Sequence, residues 1–264
     1  MGRARLGACS LLAVCSVAAI VVGSRPAPAP ARPSETAGGT ARARTGELDR
    51  LLALRSPLYC GGRHARVVAL TFDDGPGPYT RKLLALLRQW HDRATFFLVA
   101  DRISDWPRLP AEEAALGAVG DHTWSHARLP LLSYRGAKWE IEAARTAIAA
   151  ASHRKVVLFR PPYGLLTRKL HRLVFAKGML EVRWSLDSHD AVSATTTEIV
   201  RTVEREIRPG AIVLMHDIHA STVAAVARIL PALARRHLRS VSIPELLRVD
   251  PPTRHQLRLG PHCL

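Results

Sequence analysis

The sequence predicts an α/β fold in which a parallel sheet is closed, or nearly closed, by outer helices. Three observations carry that prediction. From residue 67 onward, short apolar runs alternate with stretches of helical length. The first run, residues 67–72 (Val-Val-Ala-Leu-Thr-Phe), is rich in β-branched residues and free of charge, as in a strand buried on both faces. Polar, chemistry-bearing residues recur directly after the runs, where the loops of such sheets carry active sites.

Taken in order, strands are expected over residues 67–72, 94–100, 156–159, 180–186, 211–215 and 239–243. Helices are expected between them over 79–90, 111–116, 134–151, 167–176, 196–207 and 222–236. Gly75-Pro76 stops the first strand and turns the chain. Threonines ahead of Glu198 start the 196–207 helix, and Pro209-Gly210 ends it. Residues 117–120, Gly-Ala-Val-Gly, read as a further strand-like, glycine-flanked approach to the next polar segment. No internal repeat is found.

The 264 residues, 47% hydrophobic, suffice for one large domain with a full core. Residues 1–24 read as a secretory signal: Arg3 and Arg5 precede an apolar run over 6–22, and Val22-Gly23-Ser24 offers small residues for cleavage. That run is near the lower limit for spanning a bilayer, so an uncleaved anchor is the alternative. Val14 beside Cys15 argues against a lipid-attachment box. Residues 25–59 are expected to be a flexible Pro/Ala-rich linker, with a short helix over 47–55, and residues 60–264 the folded domain.

The charge balance points to surroundings. Formal net charge is +16, and removing Arg3 and Arg5 with the signal leaves +14. Outside a cell such a charge favours anionic wall polymers or membrane faces rather than nucleic acid. Arginine outnumbers lysine even in helices without clustering, so part of the excess is compositional habit. The expected location is secreted, or associated with wall or membrane. With Cys9 and Cys15 in the signal, Cys60 and Cys263 form the single pair of the mature chain. They are expected to staple the termini in an oxidising compartment, two free thiols being the alternative.

The chemistry begins at Asp73-Asp74, directly after the first strand. Strand alternation sends neighbouring side chains to opposite faces, so one carboxylate can bind a metal while the other serves as a base. His122 and His126, four apart, fall on one side of a helical turn. With Asp74 they would make a two-histidine, one-carboxylate face that leaves coordination positions open. Arg160, before Pro161-Pro162-Tyr163-Gly164, is suited to orient Asp73 through a charge-assisted hydrogen bond. The stiff proline pair gives the Tyr163 N–H a fixed direction, useful for an oxyanion. The 184–190 segment brings Asp187 and Asp190, and 212–217 brings His216. A carboxylate beside an imidazole favours the imidazolium that a general acid requires. Trp184 and Leu214 are candidates for lining a small apolar pocket.

Assembled, Thr71-Phe-Asp-Asp-Gly-Pro76, His122-x-x-x-His126, Arg160-Pro-Pro-Tyr-Gly164, the 184–190 block and Leu214-x-His216 resemble the polysaccharide deacetylases of the NodB-homology type, carbohydrate esterase family 4. The resemblance runs over about residues 65–249 and keeps the family's block order. It implies a distorted (β/α) barrel that removes N- or O-acetyl groups from polysaccharide. It also implies Asp73 as general base, Asp74, His122 and His126 as metal ligands, Arg160 as orienter of the base, and His216 as general acid. Asp190 is the first choice for the partner of His216 and Asp187 the fallback. Ala191 stands where the family has tryptophan, and Asp121 where many members have asparagine. Zinc suits this ligand set best, and cobalt, nickel or iron would also accept it. The implied substrate is an N-acetylglucosamine polymer, peptidoglycan or chitin-like, acted on by a monomer. An acetylxylan esterase with the same machinery, and a non-catalytic wall-polymer binding module, are the alternatives.

Overall fold

The structure, a computed structural model, describes residues 37–264, with side chains from Gly46 onward. The signal segment and residues 25–36 of the expected linker lie outside the described residues. The second half of that linker is not a flexible spacer. Helix α1 (Ala37–Leu54) carries Leu48, Leu51 and Leu52 at spacings of three and four, an apolar stripe of helical period. Leu51 is fully buried in a cluster with Leu58, Val182 and Leu246, and Leu58 bridges Val182. The folded unit therefore starts upstream of Cys60.

From Val67 to Glu181 strands and helices alternate as predicted. They are β1 (Val67–Asp73), α2 (Thr80–Gln89), β2 (Ala94–Leu98), α3 (Leu109–Leu116), β3 (Gly117–Asp121), α4 (Tyr134–Ser152), β4 (Leu158–Phe159) and α5 (Arg168–Ala176). Then come β5 (Leu180–Glu181), β6 (Leu186–Asp187), α6 (Thr196–Glu206), β7 (Ile212–His216), α7 (Ala220–Arg235), β8 (Arg239–Ser240), α8 (Ile243–Val249) and α9 (Arg254–Leu259). Helix α6 opens on a capping box between Thr195 and Glu198, the start signal read from the sequence.

The sheet runs β5-β4-β3-β2-β1-β7-β6, with β8 beside the start of β1, and these pairings are all parallel. It curls into a half-barrel. Its central strand, β1, is buried at every position, which explains its unbroken apolar sequence. Residues 180–186 are not one strand. They form two short strands at opposite edges of the sheet, because the backbone between them is claimed elsewhere. Arg183 N donates to the Leu58 carbonyl at 2.6 Å, and the Arg183 carbonyl accepts from Arg160 at 3.0 Å. The parallel register makes Asp73 on β1 the direct partner of His216 on β7. Cys60 and Cys263 are disulfide-bonded, closing the domain across a separation of 203 residues. Among the described residues no helix is long and apolar enough to cross a membrane.

Candidate active site

β1 ends at Asp73, and Asp74 leaves the strand with φ 70°. The alternation expected of these two carboxylates is thereby broken. Instead of facing opposite ways, both reach the same imidazole. His122 Nε2 lies 3.5 Å from Asp74 Oδ1 and 3.6 Å from Asp73 Oδ2. His126 Nε2 lies 3.2 Å from Asp74 Oδ1. The two histidines sit in a loop after β3, not on a helical turn, with Thr123 and His126 both at positive φ. That loop needs an outside fastening, and Glu140 of α4 supplies it. Its carboxylate accepts from the N–H groups of Trp124 and Ser125 at 3.0 and 2.9 Å and from the Ser125 hydroxyl at 2.8 Å.

Asp74, His122 and His126 each offer one ligand atom, and the three atoms lie within 4.8 Å of one another. The donor set fits a divalent cation. His122 Nδ1 is 2.7 Å from the Arg160 carbonyl, which can only accept, so Nδ1 carries a proton and Nε2 is the atom left to ligate. Burial opposes charge on this ring, but Asp73 and Asp74 raise it, so ligation displaces an Nε2 proton. Asp74 Oδ1 is buried without a hydrogen-bond donor. Burial opposes charge on Asp74, but His122, His126 and His216 outweigh it and hold the carboxyl well below its ordinary range. Burial pushes His126 down, toward the neutral form that can ligate.

Asp73 is nearly inaccessible and is held from below. Arg160, fully buried, donates from one guanidinium nitrogen to Asp73 Oδ1 and to the Thr71 hydroxyl, both at 2.7 Å. Its other nitrogens reach the Val182 and Arg183 carbonyls. The guanidinium also lies 4.2 Å from the Phe97 ring centre and 5.7 Å from that of Trp184. A buried cation so fixed can orient Asp73 without itself moving.

Across from this pair stands His216. Its Nδ1 is 2.8 Å from Asp190 Oδ1, and its N–H donates to Asp190 Oδ2 at 2.7 Å. Thr222 and Ser188 donate to the same carboxylate at 2.6 and 2.9 Å. Burial works against the imidazolium, yet Asp190 raises His216 from 6.5 to about 9. Of the two candidate partners, Asp190 is therefore the one brought to His216. Asp187 instead accepts from the His189 N–H.

These groups share one cavity of 240 Å³, walled by Trp184, Leu214, Pro161 and Tyr163. Tyr163 follows the proline pair at φ 58°, and its ring is half-exposed, 4.7 Å from the His126 ring. Ala191 lines the wall where the sequence resemblance expects tryptophan. Sequence reasoning missed the groups that hold the site from behind: Thr71, Glu140, Thr222, and the Thr80–Asp217 pair. For Glu140 a signal existed. It falls on the buried stripe of α4 with Ala137, Ile141, Ala144 and Ile148, where a charge needs a partner. Asp217 is buried against Gly75, accepts from Thr80, and burial raises it from 3.8 to about 7. Thr80 in turn accepts from the Gly77 N–H at 2.9 Å, so this pair braces the turn after Asp74.

Such groups at the carboxyl ends of parallel strands define a hydrolase of the metal-dependent (β/α) class. Comparison with known proteins narrows the class. Residues 61–182 match the polysaccharide deacetylase family. A peptidoglycan-N-acetylglucosamine deacetylase from Bacillus cereus is 35% identical over 194 residues, covering 69% of this chain and 70% of that protein. The structure of a family 4 carbohydrate esterase from Streptomyces lividans, in complex with acetate, matches with TM-score 0.63 at 39% identity, over 70% of this chain and 95% of that one. A CE4 family pseudoenzyme from Bacillus anthracis matches with TM-score 0.68 at 28% identity, over 73% of this chain and 69% of that one. The chain belongs to the polysaccharide deacetylase family. Since the fold also occurs in a pseudoenzyme, the case for catalysis here rests on the residues themselves.

Proposed function

We propose that this chain hydrolyses the acetamido group of an N-acetylglucosamine-containing polysaccharide, releasing acetate and leaving a free amine. The observation that carries the reading is the placement of a carboxylate base and an imidazolium acid on neighbouring strands, flanking three converging ligand atoms. A bound divalent cation supplies Lewis acidity, polarising a carbonyl and acidifying water. Zinc is the ion we favour, from the two-imidazole, one-carboxylate set; cobalt, nickel and iron accept the same donors.

The residues divide the proton work. The Asp73 carboxylate, oriented by Arg160, takes a proton from the water whose oxygen forms the new bond to the acetyl carbon. The Tyr163 N–H faces the oxygen that gains charge. As the C–N bond breaks, His216 gives its Nε2 proton to the departing nitrogen, while Asp190 holds Nδ1. Trp184 and Leu214 make the apolar wall for the acetyl methyl. Water gives its oxygen to the acetyl carbon and one proton to Asp73. Its second proton leaves to solvent as the new carboxyl ionises to acetate, and the amine receives its proton from His216.

Acetate release from N-acetylglucosamine oligomers after zinc loading tests the reading; no release, with zinc bound at one per chain, would overturn it. An acetylxylan arm measures the ester alternative. We propose further that residues 1–24 direct export and that the mature protein works as a monomer at a wall carrying anionic polymer, as the basic charge supports. N-terminal sequencing of protein from culture medium checks export. Protein retained in the cytoplasm would refute it.

A further inference from the structure

One cation beside the cavity has no task in the hydrolysis. Arg128 is exposed, and its guanidinium carbon lies 4.5 Å above the centre of the Tyr163 ring. Tyr163 lines the cavity and lies 4.7 Å from the ring of His126, so the Arg128 charge stands within about 9 Å of a ligand imidazole. The other cations near this wall are already neutralised. Arg160 pairs with Asp73, and Arg183 pairs with Glu181 at 2.5 Å. Among the described residues no carboxylate pairs with Arg128. Contact with the Tyr163 ring holds the guanidinium beside the cavity, and its five N–H donors suit a carboxylate.

The far wall strengthens the case. Ala191 offers no aromatic face, so a neutral sugar gains little stacking there. An ionic handle at Arg128 would replace part of that grip. We propose that Arg128, carried on Tyr163, binds a carboxylate of the sugar chain next to the reacting acetamido group, and so selects carboxylate-bearing amino-sugar polymers over neutral ones. The inference rests on the deacetylase reading and adds which polymer that site prefers. Two sources offer the carboxylate: an ether-linked lactyl group on the sugar, or a peptide attached to it.

The test compares three tetrasaccharides on the zinc-loaded protein: an all-N-acetylglucosamine chain, one alternating with lactyl-bearing sugars, and the same chain carrying peptides. Arg128→Gln should lower kcat/KM up to about fivefold, mainly through KM, on a carboxylate-bearing chain, and leave the neutral chain unchanged. The loss should shrink near about 0.5 M salt, because the contact is solvent-facing. A loss on the peptide-free chain assigns the lactyl group; a loss confined to the third chain assigns the peptide. Equal losses on all three chains, or none, overturn the inference. Calorimetric binding of the same chains separates it from the reading beneath it. If no chain is hydrolysed yet Arg128→Gln weakens carboxylate-dependent binding, the deacetylase reading fails and the Arg128 site stands.

Discussion

Replacing Asp190 by asparagine tests the acid side of the site. The side chain keeps its shape, and its oxygen can still accept from Thr222 or from the His216 N–H, but the negative charge is gone. In the wild-type protein Asp190 lifts His216 from 6.5 to about 9 against the opposing effect of burial. At about 1.4 kcal/mol per pH unit, that difference corresponds to about 3 kcal/mol of preference for the imidazolium. Without that charge, burial is opposed only by the Asp73 and Asp74 carboxylates, and the imidazole should titrate lower than about 9. The protonated fraction just below pH 9 then falls. The expected result is an alkaline limb of kcat/KM that moves down from near 9, with a loss on its alkaline side of about tenfold for each pH unit moved. The same linkage bears on stability. The His216 contribution is complete below 6.5 and fades as pH rises through about 9. That of Asp190, lowered by the same pair against burial, is present above 3.8 and lost in stronger acid, so Asp190→Asn should destabilise most between about pH 4 and 6.5. Acetate release across pH 5–10, with histidine titration by NMR, reads both. An alkaline limb unmoved in the variant would refute the assignment of His216 as the acid set by Asp190.

Four further outcomes are expected. Asp73→Asn should cut turnover by about 10²–10⁴-fold while metal content, measured by plasma mass spectrometry, stays at wild-type level. His126→Ala should lose the metal, and an unchanged stoichiometry would remove His126 from the ligand set. Asp217→Asn should stabilise the protein above pH 7. A buried carboxyl raised from 3.8 to about 7 weakens the native state once the unfolded chain ionises, by at most about 4 kcal/mol, whereas asparagine keeps the Thr80 bond without the charge. A melting gain no larger at pH 8 than at pH 4 would contradict this. Cys263→Ser should lower stability by up to about 5 kcal/mol, the chain-entropy value for a loop this long, and reductant should lower the wild-type urea midpoint to match.

Much of the active site was legible because its residues follow apolar runs that could only be buried strands. Asp73, Arg160 and His216 all come directly after such runs, and the parallel sheet brings them to one end. What was not legible is local backbone geometry. No spacing rule indicates that Asp74 takes φ 70° and swings to the same side as Asp73, or that the histidine loop is irregular. The preference for Asp190 over Asp187 came from the resemblance, whereas its contacts with β7 and α7 are not contained in the neighbouring sequence. The split of residues 180–186 arose because an apolar run looks the same whether its backbone pairs with one strand or with a loop such as the one bearing Leu58. Helix α1 was underestimated for a simpler reason. Its first half is poor in apolar residues, and its stability comes from the docked leucines near its end.

The pairing of Asp73 with His216 across β1 and β7 has a practical corollary for redesign. Neighbouring parallel strands keep a separation of about 4.8 Å, fixed by main-chain hydrogen bonding. The span between proton acceptor and proton donor is thus written into the scaffold, not into the surrounding loops. The side chains of Arg128, Tyr163 and Ala191 can be varied while that span is conserved, provided His126, Arg160 and Asp190 beside them are kept. Libraries confined to these three side chains should yield altered polymer preference more often than they yield loss of hydrolysis.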